Sequence, residues 1–494
     1  MYIEKKKISG KEYYYLKASV RQGDKITTKT IAYLGKGTMS KEELDKKIEE
    51  KSVMLKESPS KKYVDEEKEG ESGFIVNIKT IDEEISGILL QSFDPSIVLV
   101  KLKSGYNIGI EKNKIKDIKK ISKIPETEFP SAEIKQDEKE KPQISFIITG
   151  GTISSRLDYT TGGVKWLMKP EQLLFLAPKI FDVAKINSIE RPFMVASENM
   201  SSKHWREIAK KAAEILNKKE NSGVIITHGT DTLHYTAAAL SFMLRNLNKP
   251  VILTYSQRST DRGSTDTVLN LTCSAYAALS NIAEVMLVGH ATTNDDYCFA
   301  LHGTKVRKMH TSRRDTFRPI NDLPIAKIYE DGKIEEISHF NKRHEGKVEL
   351  DDKFDDKIAL IKFFPGANPD ILEHFIKKDY HGIVIEAGGL GHVATDESEL
   401  SWLPMIKKAI ENNIAICFAA QTIYGKLDPY IYTPGRKLLE AGVIYLEDML
   451  SETAYVKLGW TLGHTRKLQE VKDMMLKDYA HELNPRISEK TFLY

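Results

Sequence analysis

The sequence predicts an α/β protein whose main body has two lobes built on mostly parallel sheets. From residue 144 onward, short apolar runs rich in β-branched residues alternate with stretches of helical periodicity. That alternation is typical of βαβ units, in which helices cover the faces of a parallel sheet. The predicted strands cover residues 144–148, 224–227, 251–255, 285–288, 358–362, 383–386 and 415–419. The predicted helices include residues 204–216, 232–247, 369–378 and 402–410.

Two smaller β-rich regions are predicted to precede this body. Short, evenly spaced strands separated by turn residues, from Gly73 to about Ile121, favour a small β-barrel. Polar and charged stretches without periodicity are interpreted as linkers. The predicted organisation is a basic β-rich N-terminal module with a short helix (1–56), a linker (57–72), the small β-barrel (73–124), a second linker (125–142), an N-terminal catalytic lobe (143–335), an inter-lobe linker (336–356), and a C-terminal lobe with its tail (357–494).

The N-terminal module is basic and rich in tyrosine. Its first 36 residues contain nine lysine and arginine residues but only three acidic ones. Such a ribbon could bind nucleic acid through phosphate contacts and base stacking. It could equally be a small solvated β module, and its role stays open.

Bulk composition excludes several classes of protein. The formal net charge is +3 with 29% charged residues, which is too balanced to argue for nucleic-acid binding by itself. Three cysteines without paired spacing favour neither disulfides nor a structural metal. The charged start does not resemble a secretory signal, and no apolar run is long enough to span a bilayer. We therefore expect a cytoplasmic protein, without a membrane segment and without a metal.

Two glycine-containing turns are the candidates for chemistry. The blocks at residues 149–153 (Thr-Gly-Gly-Thr-Ile) and 227–232 (Thr-His-Gly-Thr-Asp-Thr) each follow a predicted strand. The carboxyl ends of parallel strands are where open α/β sheets bind ligands. Amide hydrolysis needs a nucleophile, a group that removes its proton, and donors for the oxyanion. Taken singly, the first block could be only a turn and the second only a helix cap.

Lys308 is the candidate partner of the second turn. It lies in a basic stretch, residues 303–311, and by default such a lysine is a solvated surface charge. Beside Thr230 and Asp231 in a partly dry site, it could instead favour a threonine alkoxide or accept its proton.

Together these motifs resemble the asparaginase/glutaminase family of amidohydrolases over about residues 143–465. The resemblance implies an asparaginase-like two-lobed body, with Thr152 as the first nucleophilic threonine and Tyr159 on the mobile loop that closes over the substrate. It also implies that Ser197 grips the amino-acid end of the substrate, and that Thr230, Asp231 and Lys308 form a second catalytic group. The implied site residues are Gly151, Thr152, Tyr159, Ser197, Gly229, Thr230, Asp231 and Lys308.

Motifs outside this core are similar to the D-type subunits of archaeal glutamyl-tRNA(Gln) amidotransferases. They lie at residues 105–110, 257–264, 432–436, 447–449 and 456–460. The resemblance implies a glutaminase that releases ammonia from L-glutamine for a partner, the E-type amidotransferase subunit, which amidates Glu-tRNA(Gln). It further implies that ATP and Mg bind the partner rather than this chain, that tRNA contacts the partner mainly, and that the chain is a homodimer within a heterotetramer.

Two alternatives are kept beside this interpretation. The chain could be a free-standing L-asparaginase, or an RNA-binding scaffold with a silent amidase body. Glutamine and asparagine differ by one methylene, which is worth only about 1–3 kcal/mol in a pocket. The residues alone therefore decide neither the substrate nor which threonine attacks.

Overall fold

The computed structural model describes most of the chain, and the following applies to those residues. They are 2–8, 11–22, 25–36, 43, 72–92, 94–104, 106–123, 141–157, 164–166, 177–260, 262–395 and 398–494. The chain separates into two units, residues 1–71 and residues 72–494. Among the described residues, no helix is both long and apolar enough to cross a bilayer.

The first unit contains the predicted β-rich module. Its three strands form an antiparallel sheet in the order β1-β2-β3. They are β1 (Tyr2–Ile8), β2 (Lys11–Gln22) and β3 (Lys25–Lys36). Tyr14 is buried and donates a hydrogen bond to Glu12 Oε2 at 3.0 Å. The predicted short helix lies outside the described residues, apart from Glu43.

The second unit opens with a five-stranded antiparallel sheet in the order β7-β6-β5-β4-β8. Its strands are β4 (Phe74–Thr80), β5 (Glu84–Leu90), β6 (Ile97–Lys101), β7 (Asn107–Glu111) and β8 (Ile115–Lys123). Val76, Ile78 and Val100 are fully buried on one face, as period-two alternation requires. The predicted barrel is not confirmed, because β7 and β8 are the edges of the sheet and do not pair with each other.

The first lobe of the body is organised around an eight-stranded sheet in the order β12-β9-β13-β15-β16-β17-β20-β21. Its strands are β9 (Gln143–Ile148), β12 (Lys185–Glu190), β13 (Asn221–Thr227), β15 (Val251–Thr254), β16 (Val285–His290), β17 (Tyr297–His302), β20 (Ala326–Tyr329) and β21 (Ile334–Glu336). The strands predicted at residues 144–148, 224–227, 251–255 and 285–288 fall within this sheet.

The prediction of a mostly parallel sheet is wrong for the outer half of the first lobe. Strands β12 to β16 pair in parallel, whereas β16, β17, β20 and β21 pair antiparallel. The connection from His290 to Tyr297 is too short for a crossover helix, so β17 must return beside β16. The sheet is therefore mixed.

Helices cover both faces of this sheet. Ile147, Val224 and Ile226 on one face pack against helices α2 and α3, and alternate residues such as Phe146 and Ile225 on the other face pack against α4. The helices of this lobe are α1 (Lys179–Val183), α2 (Ser202–Leu216), α3 (Leu233–Met243) and α4 (Thr267–Leu279).

Three two-stranded pairs complete the first lobe, and all are antiparallel. They are β10 (Ser155–Leu157) with β11 (Val164–Trp166), β14 (Leu244–Arg245) with β22 (Glu349–Leu350), and β18 (Val306–Lys308) with β19 (Phe317–Pro319). Because β14 pairs with β22, the helix predicted to continue to residue 247 ends at Met243.

The second lobe contains a four-stranded sheet that is parallel throughout, as predicted. Its strands are β23 (Ile358–Lys362), β24 (Gly382–Ala387), β25 (Ala415–Ala420) and β26 (Ile444–Tyr445). Its helices are α5 (Asp370–Lys377), α6 (Leu403–Glu411), α7 (Thr433–Glu440), α8 (Ser451–Leu462) and α9 (Leu468–Leu476). Helix α8 belongs to both cores, because Trp460 packs in the first lobe and Leu458 packs in the second.

A buried ion pair also joins the two lobes. Lys305 Nζ lies 2.6 Å from Asp448 Oδ2, and the two side chains are 1% and 0% exposed. Asn484, in the C-terminal tail, donates to the same carboxylate from its backbone N–H and its side-chain amide, both at 2.9 Å. A buried charge left without its partner is strongly destabilising.

We predict that Lys305→Met lowers the free energy of unfolding by about 3–5 kcal/mol, because it leaves the Asp448 carboxylate buried without its cation. Guanidinium denaturation followed by circular dichroism measures the change. The matched control is Lys467→Met, which removes an exposed pair with Glu470 and should change stability by less than about 1 kcal/mol. Equal effects of the two substitutions would contradict the prediction.

Candidate active site

The first predicted turn leaves β9 in a conformation that requires glycine. Gly150 and Gly151 have φ angles of 122° and 84°, in the left-handed region that L side chains rarely adopt. Thr152, half-buried, then begins a short 3₁₀ helix, Thr152–Ser154. The turn is tied to the neighbouring strand, because Thr149 Oγ1 donates to the carbonyl of Thr227 at 2.8 Å. Thr152 is thereby held at the carboxyl end of the sheet.

The second turn leaves β13 at the same edge. Strands β9 and β13 are parallel neighbours, with Ile148 opposite Thr227. The two turns touch, since a Cβ atom on Gly151 would lie 2.4 Å from the backbone nitrogen of Gly229. A Cβ on Gly229 would lie 2.8 Å from Ser197 Oγ. Both glycines were predicted as site residues through the family resemblance, and each has a direct packing reason in the structure.

Ser197 is the third predicted residue at this edge. It begins the 3₁₀ helix Ser197–Asn199 and is 3% exposed. Thr232 Oγ1 donates to its backbone carbonyl at 2.7 Å, which fixes the segment against the second turn. Three distant segments, carrying Thr152, Ser197 and Thr230, therefore converge.

Lys308 completes the second group. It is the last residue of β18, and its Nζ donates to Thr230 Oγ1 at 2.8 Å and to Asp231 Oδ1 at 2.7 Å. Its side chain is 12% exposed, whereas that of Asp231 is 63% exposed. The lysine is thus sheltered, and the carboxylate faces the open side of the site. This is the juxtaposition that the sequence analysis required, and a solvated surface role for Lys308 is excluded.

One predicted residue, Tyr159, lies outside the described residues, as does the rest of its loop at residues 158–163.

A second layer of charge behind Lys308 was missed by the sequence analysis. Arg307 Nε donates to Glu452 Oε1 at 3.0 Å, and Glu452 lies in the first turn of α8. His234 Nε2 lies 3.9 Å from the same carboxylate oxygen. The second lobe therefore anchors the strand that carries the lysine. The residues concerned are far apart in the chain and follow no period, so no local pattern could have indicated them.

Two buried histidines beside the site are uncharged at neutral pH. Burial, together with the nearby charges of Arg307 and Lys308, lowers the pKa of His234 to about 3. Burial lowers the pKa of His228 to about 4. A carbonyl can only accept, so His228 Nδ1–H donates to the Gly229 carbonyl at 2.7 Å, and Nε2 accepts from Thr236 Oγ1 at 2.8 Å. The neutral ring thus supports the second turn.

Known protein families match most of this chain. Sequence models of the N-terminal asparaginase domain and the glutaminase/asparaginase C-terminal domain match residues 143–341 and 357–475. The model of the GatD N-terminal domain matches residues 71–121. The D-type subunit of glutamyl-tRNA(Gln) amidotransferase from Pyrococcus furiosus is 50% identical over 83% of this chain and 93% of its own length. The corresponding protein from Methanothermobacter thermautotrophicus is 42% identical over 84% and 94%.

The chain belongs to the family of D-type subunits of glutamyl-tRNA(Gln) amidotransferases. The resemblance found in the sequence is therefore confirmed. The thermostable L-asparaginase of Thermococcus kodakarensis has a similar fold, with a TM-score of 0.62 and 28% identity, and it covers 70% of this chain. L-asparaginase I of Vibrio cholerae gives a TM-score of 0.60 at 26% identity.

The five-stranded sheet is matched by the GatD N-terminal model and by neither of the two asparaginase models. It lies almost wholly inside the range matched by the GatD N-terminal domain, whereas the two asparaginase models begin at residue 143. Membership of the family thus rests on this sheet and the two-lobed body together, and the domain matches begin after the basic N-terminal module.

We predict that Gly151→Ala lowers the free energy of unfolding by about 1–3 kcal/mol or more. This is the usual cost of holding a non-glycine residue in a strained backbone conformation. The added methyl group would also meet the backbone of Gly229. Thermal and denaturant melts measure the loss. Gly263→Ala is the matched control, since no atom beyond its two chain neighbours lies within 4 Å of its Cβ position. An unchanged melting temperature for Gly151→Ala would show that the turns are not held in contact.

We predict that His228 makes the protein less stable in mild acid. Its pKa is about 4 in the folded chain and 6.5 in the reference state, so the unfolded chain binds a proton that the folded chain does not. Stability therefore falls as the pH decreases from about 6.5 to 4, by up to about 3 kcal/mol.

The comparison variant is His228→Gln, whose amide can donate and accept as the neutral ring does. Its unfolding free energy, measured by denaturant titration between pH 8 and pH 4, should fall less steeply than that of the wild type. Parallel curves would rule out His228 as the source of the pH dependence.

Proposed function

We propose that this chain is the glutaminase component of a tRNA-dependent amidotransferase. It hydrolyses L-glutamine to glutamate and ammonia, and a partner protein uses that ammonia to convert Glu-tRNA(Gln) to Gln-tRNA(Gln). The observation that carries the proposal is the contact of Lys308 with Thr230 and Asp231, beside the Gly-Gly-Thr turn of β9. The relatives named as glutamyl-tRNA(Gln) amidotransferase components supply the reaction context.

In the proposed chemistry, the Thr152 hydroxyl attacks the side-chain amide carbon of glutamine. The C–N bond then breaks, ammonia leaves with an added proton, and the glutamyl group remains as an ester on Thr152. Water hydrolyses this ester, which releases glutamate and restores the hydroxyl. Thr230 and Lys308 carry protons between the reacting groups and solvent, and Tyr159 assists from its loop. Thr230 remains the alternative nucleophile.

The amino-acid end of the substrate needs groups that recognise a carboxylate and an ammonium. Asp231 has a largely exposed carboxylate, which suits the substrate α-ammonium. Ser197 is buried beside Gly229, where its segment can bind the α-carboxylate. Anchoring this end places the side-chain amide against the hydroxyls, and such positioning supplies a large part of the rate enhancement.

The partner in this proposal is the E-type subunit of the same amidotransferase, with the chain as a homodimer joined to two partner molecules in a heterotetramer. ATP and Mg²⁺ would bind the E-type subunit, which activates the tRNA-linked glutamate. The net charge of +3 is close to balance for 494 residues, which favours tRNA contacts mainly on the partner. The basic module at residues 1–56 could add contacts of its own.

We predict that Lys308→Ala and Thr152→Ala each lower kcat for glutamine hydrolysis by at least about 10²–10⁴-fold, the range for loss of one acid–base role. Ammonia release is measured in the complex with the E-type subunit, with glutamyl-tRNA(Gln) present. Lys327→Ala is the matched control, because that lysine lies on β20, in the outer half of the same sheet, and pairs with the partly exposed Glu335. Near wild-type turnover by either site variant would refute the assignment.

The asparaginase fold of the body makes an uncoupled L-asparaginase the second candidate. The two are separated by assaying ammonia release from asparagine and from glutamine, with and without the partner and glutamyl-tRNA(Gln). An amidotransferase component shows glutamine turnover that rises when partner and tRNA are present. Rapid asparagine hydrolysis by the isolated chain would favour the asparaginase instead. The third alternative is an RNA-binding scaffold with a silent amidase body. It would be favoured if the chain still bound RNA after deletion of the two-lobed body and the full chain did not hydrolyse glutamine.

A further inference from the structure

Two histidines and a glutamate, residue types that can ligate a metal, cluster at the edge of the large sheet opposite the predicted catalytic turns. Glu284 immediately precedes β16 and His302 ends β17, and the antiparallel pairing of Met286 with His302 places both at one edge. His481 arrives from the C-terminal tail. One ligand atom of each of Glu284, His302 and His481 lies within 4.8 Å of the others.

The contacts around the cluster resemble the outer shell of a metal site. His481 Nε2 lies 3.0 Å from Glu284 Oε1, and the backbone N–H of Asn341 donates to that oxygen at 2.7 Å. His302 Nε2 lies 3.2 Å from the backbone carbonyl of His339, so it donates there and the ring is held in place. Metal-bound histidines usually donate their other ring N–H to a carbonyl or carboxylate in this way. Glu284 and His302 are 7% and 3% exposed.

An independent observation concerns the backbone of His481. Its φ angle is 62°, in the left-handed region that few residues other than glycine, asparagine, aspartate and histidine adopt. The strain is maintained by the surrounding turn, in which the backbone N–H of Ala480 donates to Glu482 Oε2 at 2.7 Å. Thr304 Oγ1 donates to the Ala480 carbonyl, also at 2.7 Å. These hydrogen bonds hold the His481 side chain in one position beside Glu284.

We propose that Glu284, His302 and His481 bind one divalent transition-metal ion, with Zn²⁺ the best fit. Two imidazoles and a carboxylate suit zinc, whereas magnesium and calcium prefer oxygen ligands alone. The fourth position would be filled by water or by His339, whose ring centroid lies 4.9 Å from that of His481. The ion would tie the C-terminal tail to the first lobe.

The distances are close to those of a bound site. Two ligands of a tetrahedral zinc lie about 3.4 Å apart, since each bond is about 2.0–2.2 Å. The widest ligand separation, at most 4.8 Å, has to close by about 1.4 Å, which side-chain rotation can supply. The alternative is a plain histidine–carboxylate ion pair. The expectation of no metal rested on cysteine spacing, whereas these three ligands come from separate segments of the chain.

The test loads the chelator-stripped full-length chain with Zn²⁺ and measures bound zinc by mass spectrometry after desalting. Affinity is measured by competition with a chromophoric chelator. The variants are His481→Asn, which suits the left-handed backbone, and His302→Gln. The control is His374→Asn, which removes a histidine on α5, outside the cluster.

We expect one zinc ion per chain in the wild type and the control, and at least about tenfold weaker binding in both cluster variants. Zinc should also raise the melting temperature of the wild type and the control only. If His302→Gln fails to fold, His481→Asn decides the result. Absence of zinc binding by the wild type, or zinc held as tightly by His481→Asn, would overturn the proposal. None of these measurements depends on glutamine hydrolysis.

Discussion

The parallel pairing of β9 with β13 is the constraint on which the candidate active site depends. It brings the Gly-Gly-Thr turn and the Thr-Asp turn to one edge of the sheet, although the residues concerned are far apart in the chain. The contact of Gly151 with Gly229 then leaves no room for a side chain between the turns. A shift of register by one residue would separate the hydroxyls, because successive side chains point to opposite faces.

The second lobe contributes to the candidate site through acidic residues that bind the basic residues next to Lys308. The site hydroxyls themselves come from the first lobe. Glu452 of α8 binds Arg307, the neighbour of Lys308, and Asp448 binds Lys305 on the same stretch of chain. Burying charged groups costs solvation energy that ion pairing recovers only when the geometry is good. These pairs are therefore better explained as specifying where the lysine strand lies than as a source of net stability.

Much of the fold follows from local patterns. Apolar runs at residues 144–148 and 224–227 form central strands because both of their faces are buried. The parallel second lobe was predicted from the alternation of strands and helices. The mixed character of the first lobe was missed because its antiparallel strands β17, β20 and β21 were not among the predicted strands. The short connection after His290 makes β17 run antiparallel to β16. In the region near residue 100, where a barrel was expected, the structure has an antiparallel sheet with two edge strands.

The sequence alone is enough to indicate the central strands, the glycine turns and the residue types of the site, because these depend on neighbours a few positions away. It also carried the family resemblance that named Lys308. The folded protein is needed to show that Lys308 is sheltered against Thr230 and Asp231, and that Glu452 supports its strand. The contact of His481 with Glu284 is likewise visible only in the fold. Such contacts join residues separated by long stretches of chain, and no periodicity in a sequence records them.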